Sequence, residues 1–222
     1  MAKAVIFDID GTITDTNPLF LEAIRQAYLE FTGNDKPQEF FIFTLGIPSP
    51  ETVRKLDIPE EKAQAFVNRW QELIKAGMPK VRLFAGIREV LETLQEAGIP
   101  MAIVTAKVRS EMSYQFDRFG LNHLFQVILC AEDAPRPKPY PDPLLVACEK
   151  LRVTPKEALF VGDSVYDITA ARLAGVPFAL ASWGALEKER VLSMHPDFVL
   201  LTPEDLLKIL RKDLRRITRV SP

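Results

Sequence analysis

The sequence predicts an α/β fold, in which a doubly wound parallel β-sheet carries helices on both faces. Short apolar segments alternate with helical patterns along most of the chain, and each of these segments is apolar along its whole length. Strands of this kind are buried on both faces, as in a parallel sheet between two layers of helices. The 222 residues are enough for one large domain or for a core domain with a smaller inserted one.

Five apolar segments predict the strands of this sheet, and a sixth segment near the C-terminus is a further candidate. Each segment is short and contains β-branched or aromatic residues, and the first ends at the acidic, glycine-containing sequence DIDGT. The segments are residues 4–7, 101–104, 127–130, 159–161 and 178–180, with residues 198–201 as the sixth. We therefore expect a Rossmann-like sheet of five or six strands.

Helical periodicity between these segments predicts the covering helices. Apolar residues recur with a 3.6-residue period over residues 87–94, and Gly98 is placed to end that helix. Residues 143–151 and 167–174 have the pattern of two further helices. A C-terminal helix from Glu204 has leucines on one side and many Lys and Arg residues elsewhere. We expect its basic residues to face solvent, with contact to an anionic partner as the alternative.

The stretch between about residues 15 and 80 has helical patterns but no comparable strand–helix–strand unit. Apolar stripes over residues 19–31 and 61–75 predict two helices. Between them, the segment FFIFTLGIPSP is expected to form the core of a small helical bundle or its contact with the main domain. A substrate-facing loop around Gly46 is the alternative. The expected domains are an α/β core, residues 1–14 and 82–222, and a helical cap, residues 15–81.

Composition and charge exclude several classes of protein. The chain is 47% hydrophobic and 26% charged, as in globular proteins, and its net charge of −2 provides no general positive field for a nucleic acid. No segment approaches the roughly 20 apolar residues that span a bilayer. The two cysteines, Cys130 and Cys148, indicate neither a disulfide framework nor a zinc motif. We expect a cytoplasmic protein that binds neither nucleic acid nor a membrane, and the oligomeric state stays open.

Polar side chains that could take part in catalysis or ligand binding follow the predicted strands. In an open α/β sheet, ligands bind at the carboxyl ends of the strands, where the loops converge. We therefore expect these residues to form a single site. They are Asp8, Asp10, Thr105, Lys138, Asp163 and Asp167.

Asp8 and Asp10 are two residues apart, so on an extended chain both carboxylates point to the same side. Like charges this close raise the pKa of one carboxyl group unless a cation intervenes, which creates a general acid or requires a metal. The alternative is a pair that only caps a turn. The following Gly11 favours the chemical interpretation, because glycine allows close backbone approach and its N–H can bind an anion.

Asp163 and Asp167 are four residues apart, about one helical turn, and both could face one ion. The alternative for Asp163 is an ordinary helix N-cap. Together with Asp8 they provide hard oxygen ligands, whereas thiols and imidazoles are too few to favour zinc. The residue types therefore favour Mg²⁺.

Thr105 and Lys138 provide a hydroxyl group and a cation for an anionic substrate, which is typical of phosphate binding. Five prolines between residues 135 and 143 would stiffen the loop of Lys138. The alternative is a solvated loop lysine. Lys107 and Arg136 are weaker candidates for contact with the phosphate. The sequence contains no local serine or cysteine hydrolase signature and no glycine-rich nucleotide motif.

In order along the chain, these motifs resemble those of the haloacid dehalogenase superfamily, in its phosphatase branch with a small helical cap after the first motif. FDIDGT is similar to the family's first motif, IVTAK to the second, Lys138 in RPKPYPDP to the third, and VGDSVYD to the fourth. The chain from residue 139 to residue 175 most resembles phosphoglycolate phosphatases and their pyrophosphatase relatives.

The resemblance implies a role for each residue that matches a motif. Asp8 would be the nucleophile that forms an aspartyl-phosphate, and Asp10 would be the general acid and then the general base. The residues expected to contact the substrate are Gly11, Thr105, Ala106 and Lys138. The expected Mg²⁺ site comprises Asp8, Asp10 through its carbonyl oxygen, Asp163, and Asp167 acting from behind the direct ligands.

The resulting hypothesis is an Mg²⁺-dependent phosphatase that acts on a small phosphorylated metabolite and is similar to phosphoglycolate phosphatase. The aspartate two residues after the nucleophile separates this branch from dehalogenases and phosphonate hydrolases of the superfamily. A β-phosphoglucomutase-like phosphomutase and an inorganic pyrophosphatase are the alternatives within the superfamily. A binding protein without catalytic activity is the alternative outside the enzymes.

Overall fold

The structure is a computed structural model that describes residues 2–47 and 49–217, with side chains as far as residue 210. The chain forms two compact units. The larger comprises residues 1–14 and 83–222, and the smaller comprises residues 15–82. Within the described residues, no helix combines the length and apolar character that a membrane span needs.

Six parallel strands form the sheet of the larger unit, in the order β3-β2-β1-β4-β5-β6. The predicted doubly wound parallel sheet is confirmed, and the sixth candidate segment is its edge strand. Each predicted strand end lies within one residue of the observed end. The strands are β1 (Ala4–Phe7), β2 (Met101–Val104), β3 (Val127–Leu129), β4 (Ala158–Gly162), β5 (Phe178–Ala181) and β6 (Phe198–Leu200).

The smaller unit is helical. Its α-helices are α1 (Asn17–Thr32), α2 (Ser49–Lys55) and α3 (Glu60–Gly77). Helices α1 and α3 pack together, and α1 ends at Gly33, whose φ of 72° is the left-handed conformation typical of a helix C-terminus. The apolar FFIFTLGIPSP segment begins within a 3₁₀-helix, Gln38–Thr44, in which Phe41 is buried and Phe40 is exposed. The ring of Phe41 lies 5.4 Å from that of Tyr28 in α1, so Phe41 packs on a helix of the same unit.

Helices cover both faces of the sheet in the larger unit. They are α4 (Ile87–Glu96), α5 (Arg109–Gln115), α6 (Asp142–Leu151), α7 (Val165–Ala174), α8 (Lys188–Ser193) and α9 (Glu204–Ile217). Alternate side chains of β1 enter opposite cores: Val5 and Phe7 pack with residues of α4, α5 and α9, whereas Ile6 packs with residues of α6, α7 and α8. The basic side chains predicted beyond residue 210 of α9 lie outside the described side chains.

The strand order determines where the functional loops meet. Strand β1 lies at the centre, between β2 and β4, because the chain builds β2 and β3 on one side and then returns to build β4, β5 and β6 on the other. The loops after β1, β2 and β4 consequently emerge side by side at one edge of the sheet. This reversal of strand order is the position at which open α/β sheets bind their ligands.

Candidate active site

The loop after β1 carries the two carboxylates of the first motif. Asp8 is buried, and its backbone N–H donates to Val161 O at 3.0 Å, so the strand ladder extends to this residue. The loop then turns at Gly11, whose φ is 71°. The Gly11 N–H donates to Thr14 O at 3.0 Å. The need for glycine is therefore conformational, and its amide closes the loop instead of facing an anion as the sequence suggested.

Lys138 lies at the centre of the site. Its Nζ is 2.7 Å from Asp167 Oδ1 and 3.0 Å from Asp8 Oδ1, and its side chain is only 3% exposed. The same ammonium group is 5.6 Å from the centroid of the Phe160 ring. The alternative of a solvated loop lysine is wrong, because two carboxylates and an aromatic ring surround the ammonium group.

Both carboxylate oxygens of Asp167 accept hydrogen bonds. Oδ1 accepts from Lys138, and Oδ2 accepts from the N–H and the hydroxyl group of Ser164 at 3.0 and 2.6 Å. Ser164 Oγ in turn accepts from the Asp167 N–H, which completes a capping box at the start of α7. These contacts use both oxygens, so Asp167 is suited to orient Lys138 and the helix.

The carboxylates that could hold a metal ion come from the loops after β1 and β4. One oxygen from each of Asp8, Asp163 and Asp167 lies within 4.8 Å of the others. Thr12 Oγ1 donates to Asp163 Oδ1 at 3.2 Å, which orients that carboxylate. The side chain of Asp10 is not in this group, since its Oδ1 lies 2.7 Å from Lys107 Nζ. The structure therefore brings the carboxylates of Asp8, Asp163 and Asp167 together, and it pairs the carboxylate of Asp10, which was expected to provide only its carbonyl oxygen, with Lys107.

Burial determines the electrostatics of the acidic cluster. It raises the pKa of Asp8 to about 7; Lys138 opposes this shift, whereas the charges of Asp167 and Asp10 add to it. Burial, followed by the charges of Asp167 and Asp8, raises the pKa of Asp163 well above its usual range. For Lys138, burial lowers the pKa, but Asp167 and Asp8 outweigh it and raise the pKa overall. Lys138 is thus held as a cation between carboxylates that need more positive charge.

The loop after β2 carries Thr105, Ala106 and Lys107. Thr105 is buried, and its N–H donates to Leu129 O of β3 at 3.0 Å. Its Oγ1 accepts from the Lys107 N–H at 3.2 Å, and Ala106 between them is half-buried. The structure thus places Thr105 at the end of β2, beside the strand that leads to Asp8.

Arg136, the other basic residue considered for contact with the phosphate, pairs with a carboxylate outside the site. Its Nε and Nη2 atoms lie 3.1 and 2.9 Å from the two carboxylate oxygens of Asp142, at the start of α6. Its guanidinium group also stacks over the Tyr140 ring, 4.4 Å from the centroid. This exposed arrangement supports the loop that precedes α6 and gives no sign of contact with a phosphate.

Sequence reasoning missed two glycines whose lack of a side chain allows close packing around the site. A Cβ atom at Gly162 would lie 2.7 Å from Asp167 Cγ, and a Cβ atom at Gly184 would lie 1.9 Å from Gly11 O. Next to Gly184, Trp183 Nε1 donates to Thr12 O at 2.9 Å. Trp183 and Gly184 follow β5 at the same edge of the sheet, so the rule that ligand sites lie at strand ends could have identified them.

Comparison with known proteins identifies close relatives over nearly the whole chain. A sequence profile described as haloacid dehalogenase-like hydrolase matches residues 5–181. Pyrophosphatase PpaX from Oceanobacillus iheyensis is 30% identical over 208 residues, which are 93% of this chain and 96% of the relative. Phosphoglycolate phosphatase from Haemophilus influenzae is 31% identical over 219 residues, which are 94% of this chain and 98% of the relative.

Solved structures have the same fold. The crystal structure of a predicted phosphoglycolate phosphatase from Haemophilus somnus superposes with a TM-score of 0.84 at 26% identity, covering 94% of this chain and 98% of that one. A hydrolase from Pseudomonas syringae gives a TM-score of 0.84 at 23% identity, covering 96% of this chain and 99% of that one, a similarity that shows the fold alone. The expected superfamily resemblance is confirmed in both sequence and structure.

Proposed function

Since this chain belongs to the haloacid dehalogenase-like hydrolase family and is a phosphatase of that family, we propose that it hydrolyses a small phosphorylated metabolite through an aspartyl-phosphate on Asp8. The observation that carries the proposal is the buried contact of Asp8 with Lys138 at 3.0 Å. An anionic nucleophile that attacks an anionic phosphate needs a cation at this position.

In the first step, a carboxylate oxygen of Asp8 attacks phosphorus, and the bond from phosphorus to the leaving oxygen breaks. The leaving oxygen keeps the electron pair and takes a proton from Asp10, which becomes a carboxylate. Lys138 offsets the negative charge of Asp8 and of the transferring phosphoryl group. Thr105, at the end of β2, donates its hydroxyl hydrogen to a phosphoryl oxygen, and the neighbouring Ala106 contacts the same group.

In the second step, Asp10 accepts a proton from a water molecule, and the resulting hydroxide attacks phosphorus. The bond from phosphorus to the Asp8 oxygen breaks, which releases inorganic phosphate and restores the Asp8 carboxylate. Asp10 is then protonated, as it was before the first step, so the cycle is balanced. The same residue therefore serves both steps, which requires its carboxyl group to stay close to the reacting phosphorus.

The acidic cluster has the donor atoms and the charge to bind Mg²⁺. Three carboxylates, those of Asp8, Asp163 and Asp167, surround the single cation Lys138, which leaves a formal charge of −2. Asp8 Oδ1, although near Lys138, has no hydrogen-bond partner of favourable geometry among the described residues. Asp8, Asp163 and the Asp10 carbonyl would hold the ion, and Asp167 would support it. When bound, Mg²⁺ supplies positive charge to the transferring phosphoryl group.

Phosphoglycolate is the first substrate to test and pyrophosphate the second, because relatives of both activities match nearly the whole chain at about 30% identity. We assign the choice between such substrates to the helical unit, because the family resemblance implies that residues 15–81 form a cap.

The two cysteines, Cys130 and Cys148, are buried and form no disulfide, which supports a location in the reducing cytosol.

The test is phosphate release from phosphoglycolate, pyrophosphate, sugar phosphates and nucleotides, with Mg²⁺ and with a chelator. Asp8→Asn removes the nucleophile, and Asp35→Asn, at an exposed aspartate of the helical unit, is the matched control. We expect Mg²⁺-dependent release that Asp8→Asn reduces at least about 1,000-fold and that Asp35→Asn leaves unchanged. Full turnover by Asp8→Asn would contradict the covalent mechanism. Isomerised sugar phosphate without phosphate release would instead identify a mutase.

A further inference from the structure

We propose that Lys107 is a positioning residue, which holds the Asp10 carboxylate in place for proton transfer. The inference rests on the proposed function, since it concerns how Asp10 is presented to the leaving group. The two side chains come from different loops: Asp10 follows β1, and Lys107 follows β2. Lys107 Nζ lies 2.7 Å from Asp10 Oδ1, and the lysine side chain is only 3% exposed, against 22% for that of Asp10.

Lys107 is itself fixed along its length. Its backbone N–H donates to Thr105 Oγ1 at 3.2 Å, and its carbonyl oxygen accepts from the Ala131 N–H at 2.8 Å. At the far end, Nζ donates to Gln115 Oε1, and the Gln115 amide donates to Tyr114 OH at 2.9 Å. A lysine held at its backbone and at its ammonium group gives Asp10 a fixed partner, although lysine side chains are usually flexible.

These contacts favour positioning of Asp10 over direct binding of the substrate phosphate. Lys107 and Lys138 are equally buried, but their partners differ: Lys138 Nζ contacts the proposed nucleophile Asp8, whereas Lys107 Nζ contacts the proposed general acid Asp10 and the amide of Gln115. Removing one partner of a buried ion pair leaves the other without compensation, so the arrangement depends on both residues. Because Thr105 also contacts Lys107, the loop that carries the phosphate-binding hydroxyl group also determines where the general acid lies.

The consequence is a dependence on the leaving group. General acid catalysis requires the acid to lie within hydrogen-bond reach of the leaving oxygen, and it typically contributes about 10²- to 10⁴-fold to the rate. A displaced Asp10 should therefore slow the cleavage of phosphate esters whose leaving oxygen needs a proton. Esters whose leaving oxygen departs as a stable anion should be much less affected.

The experiment measures single-turnover release of the leaving group, which isolates the first step, from phenyl phosphate and from 2,4-dinitrophenyl phosphate. We expect Lys107→Met to lower the rate of release from phenyl phosphate about 10- to 100-fold and the rate from 2,4-dinitrophenyl phosphate less than about 3-fold. Gln115→Met should lower the rate of phenyl phosphate cleavage with the same selectivity but by a smaller factor, because it removes the second hydrogen-bond partner of the Lys107 ammonium group. Lys107→Arg, which keeps a cation, should recover part of the lost rate.

Lys150→Met, at an exposed lysine of α6, is the control and should leave both rates unchanged. An equal loss on both esters in Lys107→Met and Gln115→Met, with both variants folded by circular dichroism, would overturn the proposal. A rise in the concentration needed for half-maximal single-turnover release, at an unchanged maximal rate for both esters, would also overturn it and assign Lys107 to phosphate binding. Failure of the proposed function is distinct, since the wild-type protein would then release phosphate neither from these esters nor from any compound of the substrate panel, or Asp8→Asn would keep the activity.

Discussion

The larger unit and the helical unit place the same kinds of charged side chain in opposite surroundings. At the strand ends of the larger unit, Lys138 lies between Asp8 and Asp167, and all three side chains are buried. In the helical unit, Arg69 lies 2.7 Å from Glu30, but these side chains are 38% and 31% exposed. The nitrogen–oxygen distances around Lys138 and in the Arg69–Glu30 pair are similar, so the difference between the two sets of charges is their burial.

Burial reverses the effect of pairing on the carboxylate. It raises the pKa of Asp8 to about 7 even though Lys138 lies beside it, whereas the hydrogen bond from Arg69 lowers the pKa of Glu30 to about 2. The buried group is therefore costly for folding, and the exposed pair is an ordinary surface contact. Charges that are kept despite such a cost indicate where the chemistry takes place.

Removing the central cation should have the largest effect. Lys138→Met leaves Asp8 and Asp167 uncompensated, so we expect kcat to fall at least about 1,000-fold and the free energy of unfolding to fall by about 3 kcal/mol. Steady-state phosphate release and chemical denaturation measure the two effects. The Lys150→Met variant should change neither quantity. A Lys138→Met protein with more than a tenth of the wild-type kcat would contradict the role of this charge.

Crowding the cluster should have a smaller effect while keeping every charge. Gly162→Ala places a methyl group 2.7 Å from Asp167 Cγ, which should move Asp167 away from Lys138 and lower kcat about 10- to 100-fold. Gly120→Ala is the control: Gly120 has open space around it, but its φ is 67°, so the variant should lose some stability and no activity. If both variants kept full kcat, the close approach at Gly162 would have no catalytic importance.

The pH dependence of stability should distinguish the two units. Because the pKa of Asp8 is raised in the folded state, its contribution to stability is complete below about pH 4 and is lost as the pH rises through 7. Without divalent ions, the unfolding midpoint should thus fall by a few degrees between about pH 5 and pH 8. Mg²⁺ should restore it, with more effect at pH 8 than at pH 5.

Differential scanning calorimetry with Mg²⁺ and with a chelator measures this dependence. Asp163→Asn, which removes one carboxylate of the cluster, should reduce both the loss of stability at high pH and the recovery with Mg²⁺. Equal stabilisation by Mg²⁺ at both pH values would show that the buried carboxylates do not bind the ion.

Breaking the exposed pair should have the smallest effect. Glu30→Gln removes the charge that pairs with Arg69, and we expect the unfolding midpoint at pH 7 to change by less than about 2 °C, with kcat unchanged. The pKa of Glu30 is lowered in the folded state, so its contribution should be present above about pH 4.5 and be lost as the pH falls through 2. This direction is opposite to that of Asp8. A large loss of activity in Glu30→Gln would contradict the proposed contrast between the units.

The sequence was sufficient to predict the sheet because the sheet depends on local patterns, and the same patterns suggested the candidate site residues. A strand buried on both faces needs apolar residues along its length, and functional side chains of such sheets follow the strands. Asp8, Thr105 and Asp163 could be selected on that basis. The C-terminal neighbours of β5, Trp183 and Gly184, obey the same rule but carry no reactive group, and sequence reasoning overlooked them.

Tertiary structure alone decided which charge pairs with which. From the sequence, Lys107 and Lys138 were both candidates for a phosphate, and Asp8 and Asp10 were neighbours in one motif. The fold assigns Lys138 to Asp8 and Asp167, and it assigns Lys107 to Asp10. Residue spacing carries no information on such pairs, because they join loops that only the order of strands in the sheet brings together. Local patterning thus determined the elements and the kinds of side chain, and long-range packing determined their partners.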